Sequence, residues 1–159
     1  MRGTDGAAPA IEQERVMDFD WKDNGFLAAP SPRPATGRER LYRAWGGDPQ
    51  RKRGNTERPG VCFSLDKATS RWEAERLYAV MEYRNPVLYL TEFAIPKDTP
   101  IWVGRVDPGD ARALLGEVSG NQVFVERAYM DRITEVATTA LRNDLRGAFV
   151  STGRQPATA

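Results

Sequence analysis

The 159-residue chain contains no histidine. Serine–histidine and cysteine–histidine nucleophile pairs are therefore excluded, as are the usual zinc ligand sets. Cys62 is the one cysteine, so neither an intrachain disulfide nor a thiolate cage can form, and no metal is expected. A single thiol without a bridge suits the cytosol. No apolar run approaches the roughly 20 residues that span a bilayer. Met1–Ala10 lacks the apolar segment of a secretory signal. No membrane partner is expected. Charge of one sign is missing as well: 23 Lys and Arg face 22 Asp and Glu, a formal charge of +1, which offers no global attraction to DNA, RNA or anionic lipid. The P-loop, a GxGxxG after a strand, and HExxH are all absent, which sets aside P-loop kinases, Rossmann dehydrogenases and zincins.

What remains is ordinary globular material, 40% hydrophobic and 28% charged, of a length that fits one domain. Residues 1–37 read as an N-terminal arm: a frayed end through Ala10, a short helix in the first half of Ile11–Leu27 closed by Gly25, and an extended linker carrying Pro30, Pro32 and Pro34. Residues 38–150 read as a single α+β domain, and 151–159 as a disordered tail. Within the domain, Arg40–Trp45 and Val61–Leu65 have strand character. Lys67–Arg84 is the best helix, with Ala74, Leu77, Tyr78 and Met81 on one stripe, Asp66 or Ser70 as its cap, and Glu73 completing a capping box with Ser70. Val87–Ile95 alternates as a strand does, and Pro96-Lys97-Asp98 makes a turn. Ile101–Val106, Gln122–Glu126 and Ile133–Val136 follow as strands, with one helical turn over Asp110–Leu115. The architecture expected is α+β, mostly antiparallel, with one principal helix after the second strand.

Four features can carry chemistry, each beside a plainer reading. Arg43 shares a strand face with Leu41 and Trp45, where a guanidinium is costly unless it meets an anion or acceptors. It can grip a carboxylate or diphosphate, and Gly46 and Gly47 after it allow close approach of a ligand. It can equally pair with an internal carboxylate on an edge strand. Ser64 leaves an apolar strand, Gly60-Val61-Cys62-Phe63, and can bond a ribose or cap the next helix. Period two places Gln122, Phe124 and Glu126 on one face and Val123 and Val125 on the other. The valines belong to the core, and the polar pair faces either a cleft or solvent. An amide or carboxylate there can hold a ribose hydroxyl and favour an oxocarbenium-like transition state. Finally, the loop from Arg51-Lys52-Arg53 through Arg58 lies in a stretch, Arg33–Arg58, of eight basic and three acidic residues, and it steers a phosphate-bearing substrate or a nucleic acid or is simply solvated.

In order, Tyr42-Arg43 on a strand, Phe63-Ser64 ending a strand, a helix, Phe93-Ala94-Ile95-Pro96, Ile101-Trp102-Val103-Gly104 and Gly120-Asn121-Gln122-Val123-Phe124-Val125 resemble the ADP-ribosyltransferase superfamily. The resemblance spans about Arg40 to Val136. It implies a split β core and an NAD site in which Arg43 meets the NAD phosphates or ribose and Ser64 supports the active site. Gln122 stands in the place of the superfamily's glutamate. That substitution is similar to the NAD-glycohydrolase toxin group related to tuberculosis necrotizing toxin, whose first motif is also similar to Trp45-Gly46-Gly47. A looser similarity is to RES-type NAD-degrading toxins. The resemblance implies NAD as substrate, bound by Tyr42, Arg43, Trp45, Gly46, Phe63 and Ser64. Trp45, Phe63 or Tyr78 stacks on a base, and Gln122, Glu126 and Arg43 serve hydrolysis. A toxin-like enzyme of this kind implies an immunity or delivery partner and entry into a target cell's cytosol without a classical signal peptide. Two alternatives stay open: ADP-ribosyl transfer to a protein or nucleic acid, and a non-enzymatic module of the same fold whose basic loop binds nucleic acid or a partner protein.

Overall fold

The computed structural model describes residues 19–22, 24–46, 49, 52, 58–78, 87–107 and 120–143. Among these residues seven strands form one antiparallel sheet: β1 (Ser31–Pro34), β2 (Arg40–Trp45), β3 (Gly60–Ser64), β4 (Tyr89–Ala94), β5 (Pro100–Arg105), β6 (Asn121–Glu126) and β7 (Thr134–Ala140), in the order β1-β5-β6-β3-β2-β4-β7. One α-helix, α1 (Arg71–Tyr78), follows β3, and a 3-10 helix (Arg127–Arg132) joins β6 to β7. The expected α+β class with a mostly antiparallel sheet is what the chain builds. The first half of the residue 11–27 helix, the Asp110–Leu115 turn, the helix beyond Tyr78 and the residue 151–159 tail lie outside the described residues.

Two elements differ from the sequence reading. The proline-rich segment is an edge strand rather than a linker: Ser31–Pro34 pairs with Pro100–Val103 of β5. Proline keeps the backbone extended but offers no N–H, so it is tolerated at the border of a sheet and not inside one. The helix therefore follows the third strand, not the second. The link from β6 to β7 is longer than a simple turn, because Met130 of the 3-10 helix is buried against the sheet.

Alternation decides what each face of the sheet buries. Leu41, Val61, Phe63, Phe93, Ile101, Val123 and Val125 point to one side and form the main core with Ile95, Met130 and Ile133. Burying each large side chain stabilises the fold by roughly 1.5–3 kcal/mol. On the other side α1 covers β2 and β4, packing Ala74, Leu77 and Tyr78 against Leu90, Tyr42 and Ala44. Its start is fixed by the expected cap: the Ser70 hydroxyl accepts the Glu73 N–H at 3.1 Å. The Glu73 carboxylate reaches back to the N–H of Thr69 at 2.7 Å. Over β5 and β6 the same side is covered by Phe19, Trp21 and Phe26. There Phe26 packs with Trp102 and Phe124, and Phe19 stacks on Phe124 at 3.9 Å between ring centroids.

Candidate functional site

Between α1 and the residue 19–27 segment the sheet comes apart. β2 and β4 pair over six residues and β3 and β6 over five, yet β2 meets β3 at one pair, Tyr42↔Ser64. Continuing that register would set Ala44 opposite Cys62. Instead the Arg43 guanidinium enters the gap, and its NH1 donates to the Cys62 carbonyl at 2.8 Å. A side chain thus takes the acceptor that a ladder hydrogen bond would have used. Its Nε is shut off from water. Burial pulls the pKa of this guanidinium down, and the Cys62 thiolate would pull it back up.

The fork opens into a cleft of about 200 Å³ lined by Asn24, Tyr42, Arg43, Ala44, Cys62, Phe63, Ser64, Leu77, Tyr78, Val106, Asn121 and Gln122. Consecutive residues of both strands line it, so it runs into the gap between them rather than lying on one face. The opposite wall is α1, drawn close by Gly120. A Cβ at that residue would stand 1.8 Å from the Leu77 carbonyl oxygen, so only glycine fits there. Tyr78 is held by its hydroxyl, which donates to the Asp66 carbonyl at 2.7 Å and accepts the Ala68 N–H at 3.0 Å. Burial pushes the Tyr78 phenol well up, and that of Tyr42 up as well. Arg43 is the charged group among the lining residues, so the cleft favours an anion.

Gln122 enters from β6, directly opposite Ser64. Its Nε2 donates to the Asn24 main-chain carbonyl at 2.7 Å. The Cys62 thiol points at the same oxygen, 3.2 Å away. Burial pushes this thiol up to about 11 despite the counter-pull of Arg43 and Arg58. Ser64 does not cap the next helix, the plainer role weighed for it, although it lines the cleft. Its hydroxyl accepts the Asp66 N–H at 2.9 Å and donates to the Asn121 carbonyl at 3.4 Å, which shapes the chain before α1, while Ser70 caps the helix itself.

The structure brings Tyr42, Arg43, Phe63, Ser64 and Gln122 to one cleft. It does not bring Glu126, Trp45 or Gly46 there. Glu126 does share the face of Gln122, but it lies four residues, or about 13 Å, further along the strand. Its carboxylate accepts the Trp102 indole N–H at 2.8 Å. The Trp45 indole N–H donates to the Thr91 hydroxyl at 2.9 Å, and its ring packs on Tyr89. Phe63 reaches the cleft as floor, its ring edge-on to Phe93 in the core. Within the basic loop, Lys52 is paired with Glu135 at 3.1 Å and lies over the Trp45 ring. Among the described residues no cluster of histidine, cysteine and acidic side chains can hold a metal ion, and no helix is long and apolar enough to cross a membrane. The sequence reading missed Asn24. Its signal was the Asn24-Gly25 dipeptide, a turn former, which that reading took only as a helix stop.

No protein-family model matches the sequence, and no curated protein is significantly similar to it. Among solved structures the chain is similar in fold to Tne2, determined in complex with Tni2. The TM-score is 0.52 at 12% sequence identity, over 72% of this chain and 93% of that one. At this identity the likeness is one of fold.

Proposed function

We propose that this chain is a toxin-like enzyme that consumes NAD by cleaving its nicotinamide–ribose bond. The observation that carries the reading is the meeting of Arg43 and Gln122 at the fork of the sheet, in a cleft walled by Tyr42 and Tyr78. The resemblance of the motif order to NAD-degrading toxins supports it.

In the reaction the C1′–N bond breaks and its electron pair leaves with nicotinamide. That base departs neutral from a cationic ring, so no proton has to be delivered and a chain without histidine suffices. Water adds to C1′ and releases a proton to solvent, giving nicotinamide, ADP-ribose and H⁺. The Gln122 side chain contacts the ribose and stabilises the oxocarbenium-like transition state. Arg43 faces the diphosphate. A volume of about 200 Å³ is small beside the roughly 300–1,000 Å³ of ligand pockets, so the cleft takes one end of the dinucleotide. Glu126 and Trp45 have no part in this mechanism. The fold neighbour Tne2 was determined with a bound protein, Tni2. By analogy a protein partner is proposed for this chain as well.

Incubation of the purified protein with NAD, followed by chromatography and mass spectrometry, tests the proposal. Free nicotinamide and free ADP-ribose are expected in equal amounts. Gln122→Ala and Arg43→Ala are expected to slow release by roughly 10²–10³-fold. Absence of release by the wild-type chain, or full release by both variants, rejects it. ADP-ribose recovered on a macromolecule would favour transfer instead.

A further inference from the structure

The Asn24-Gly25 turn meets the cleft beside Gln122, whose amide is bonded to the Asn24 main-chain oxygen and packs against Gly25. We infer that the Asn24-Gly25 turn is a positioning device for Gln122, fixing its amide so that Oε1 is presented to the cleft and selecting an amide over a carboxylate at that position. The inference rests on the reading of Gln122 as the ribose-contacting group.

A main-chain carbonyl can only accept, so the group 2.7 Å from it must be the amide nitrogen of Gln122. That contact orients the amide, with Nε2 bonded to Asn24 and Oε1 beside Gly25, 3.4 Å from where a Cβ at that residue would stand. Oε1 accepts no hydrogen bond among the described residues, and Gln122 lines the cleft. The remaining acceptor capacity of the Asn24 oxygen is directed at the Cys62 thiol, 3.2 Å away.

The turn is held from several directions. The Asn24 N–H donates to the Trp21 carbonyl at 3.2 Å, and the Asp107 N–H donates to the Gly25 carbonyl at 2.8 Å. The Leu27 N–H donates to the Arg105 carbonyl at 3.0 Å, and Phe26, 1% exposed, anchors the segment in the aromatic cluster. Gly25 has φ +82°, a conformation that residues with a Cβ rarely adopt. A carboxylate at residue 122 would set an oxygen against the Asn24 oxygen with no hydrogen between them. The turn and the amide therefore specify each other, and the glutamine is a matched partner of the turn rather than a worn-down glutamate.

The test compares wild type, Gln122→Glu, Gly25→Ala and Gly25→Asn, reading nicotinamide release and amide hydrogen exchange at Asp107. Gln122→Glu is expected to lower kcat at least roughly tenfold, because small misplacements of a reacting group are costly. Asp107 protection should fall in the same variant. Gly25→Ala should lower kcat with KM within about twofold, and Gly25→Asn should recover part of the loss, since asparagine enters the left-handed region more readily. A Gln122→Glu enzyme as fast as wild type, with Asp107 still protected, overturns the inference. So does a Gly25→Ala variant that loses thermal stability but keeps kcat. Should the wild type release no nicotinamide, the functional reading fails, while the exchange arm still decides whether turn and amide are coupled. If Gln122→Glu does not fold, the two Gly25 variants decide alone.

Discussion

Arg43 and Cys62 share the fork, and burial shifts both while each pulls the other part of the way back. The guanidinium binds the carbonyl of the residue whose thiol burial has pushed up to about 11. The thiol is therefore protonated and inert at neutral pH. Its ordinary value is 9.0, so at pH 8 alkylation by iodoacetamide should run roughly a hundredfold slower in the folded protein than in the denaturant-unfolded chain. The linked effect on stability has one sign. A raised folded pKa means the contribution is intact below pH 9.0 and is lost as pH climbs towards about 11, so this thiol should lower the melting temperature over that window, and Cys62→Ala should remove its share of the fall. The place of Arg43 was half legible in the sequence. An arginine among apolar strand neighbours had to meet an anion or acceptors, and one of those acceptors is a main-chain carbonyl across the gap. Glu126 shares the face of Gln122 but not its cleft, because a period of two fixes the face of a residue and says nothing of its distance along the strand.

The elements that frame the cleft were read with uneven success, for physical reasons. β4 and β6 carry their alternation in the sequence, β3 and β5 read as short apolar runs, and the start of α1 carries its cap. The proline segment does not advertise pairing, because a strand at a border needs only an extended backbone and a neighbour, and the neighbour lies about seventy residues away in β5. Nor does the sequence tell that Gly120 is where α1 and β6 touch. That contact makes a sharp prediction. Gly120→Ala places a methyl group 1.8 Å from the Leu77 carbonyl, so the C-terminal end of α1 must move away and the Tyr78 wall with it. Destabilisation of about 1–3 kcal/mol is expected in urea melts, with a larger loss of nicotinamide release than of folded protein at room temperature. Unchanged stability would mean that α1 sits further from β6 than described.

For the molecule as a whole, the decisive feature is that two half-sheets, β1-β5-β6-β3 and β2-β4-β7, hold hands at Tyr42↔Ser64. Amide exchange should report it. Protection is expected to be high in the middle of β3–β6 and β2–β4 and lower at the β2 and β3 amides facing the gap, with a bound NAD analogue raising the latter. Uniform protection across the seam would contradict the split. The outer borders of the sheet have a consequence of their own. On one side β1 presents Pro32 and Pro34, while on the other β7 is exposed along its whole length and carries no proline. Edge-to-edge growth into a fibre requires every copy to offer two accepting margins. This molecule has one usable margin among its described residues, so any association through it is self-limiting and closes at a pair.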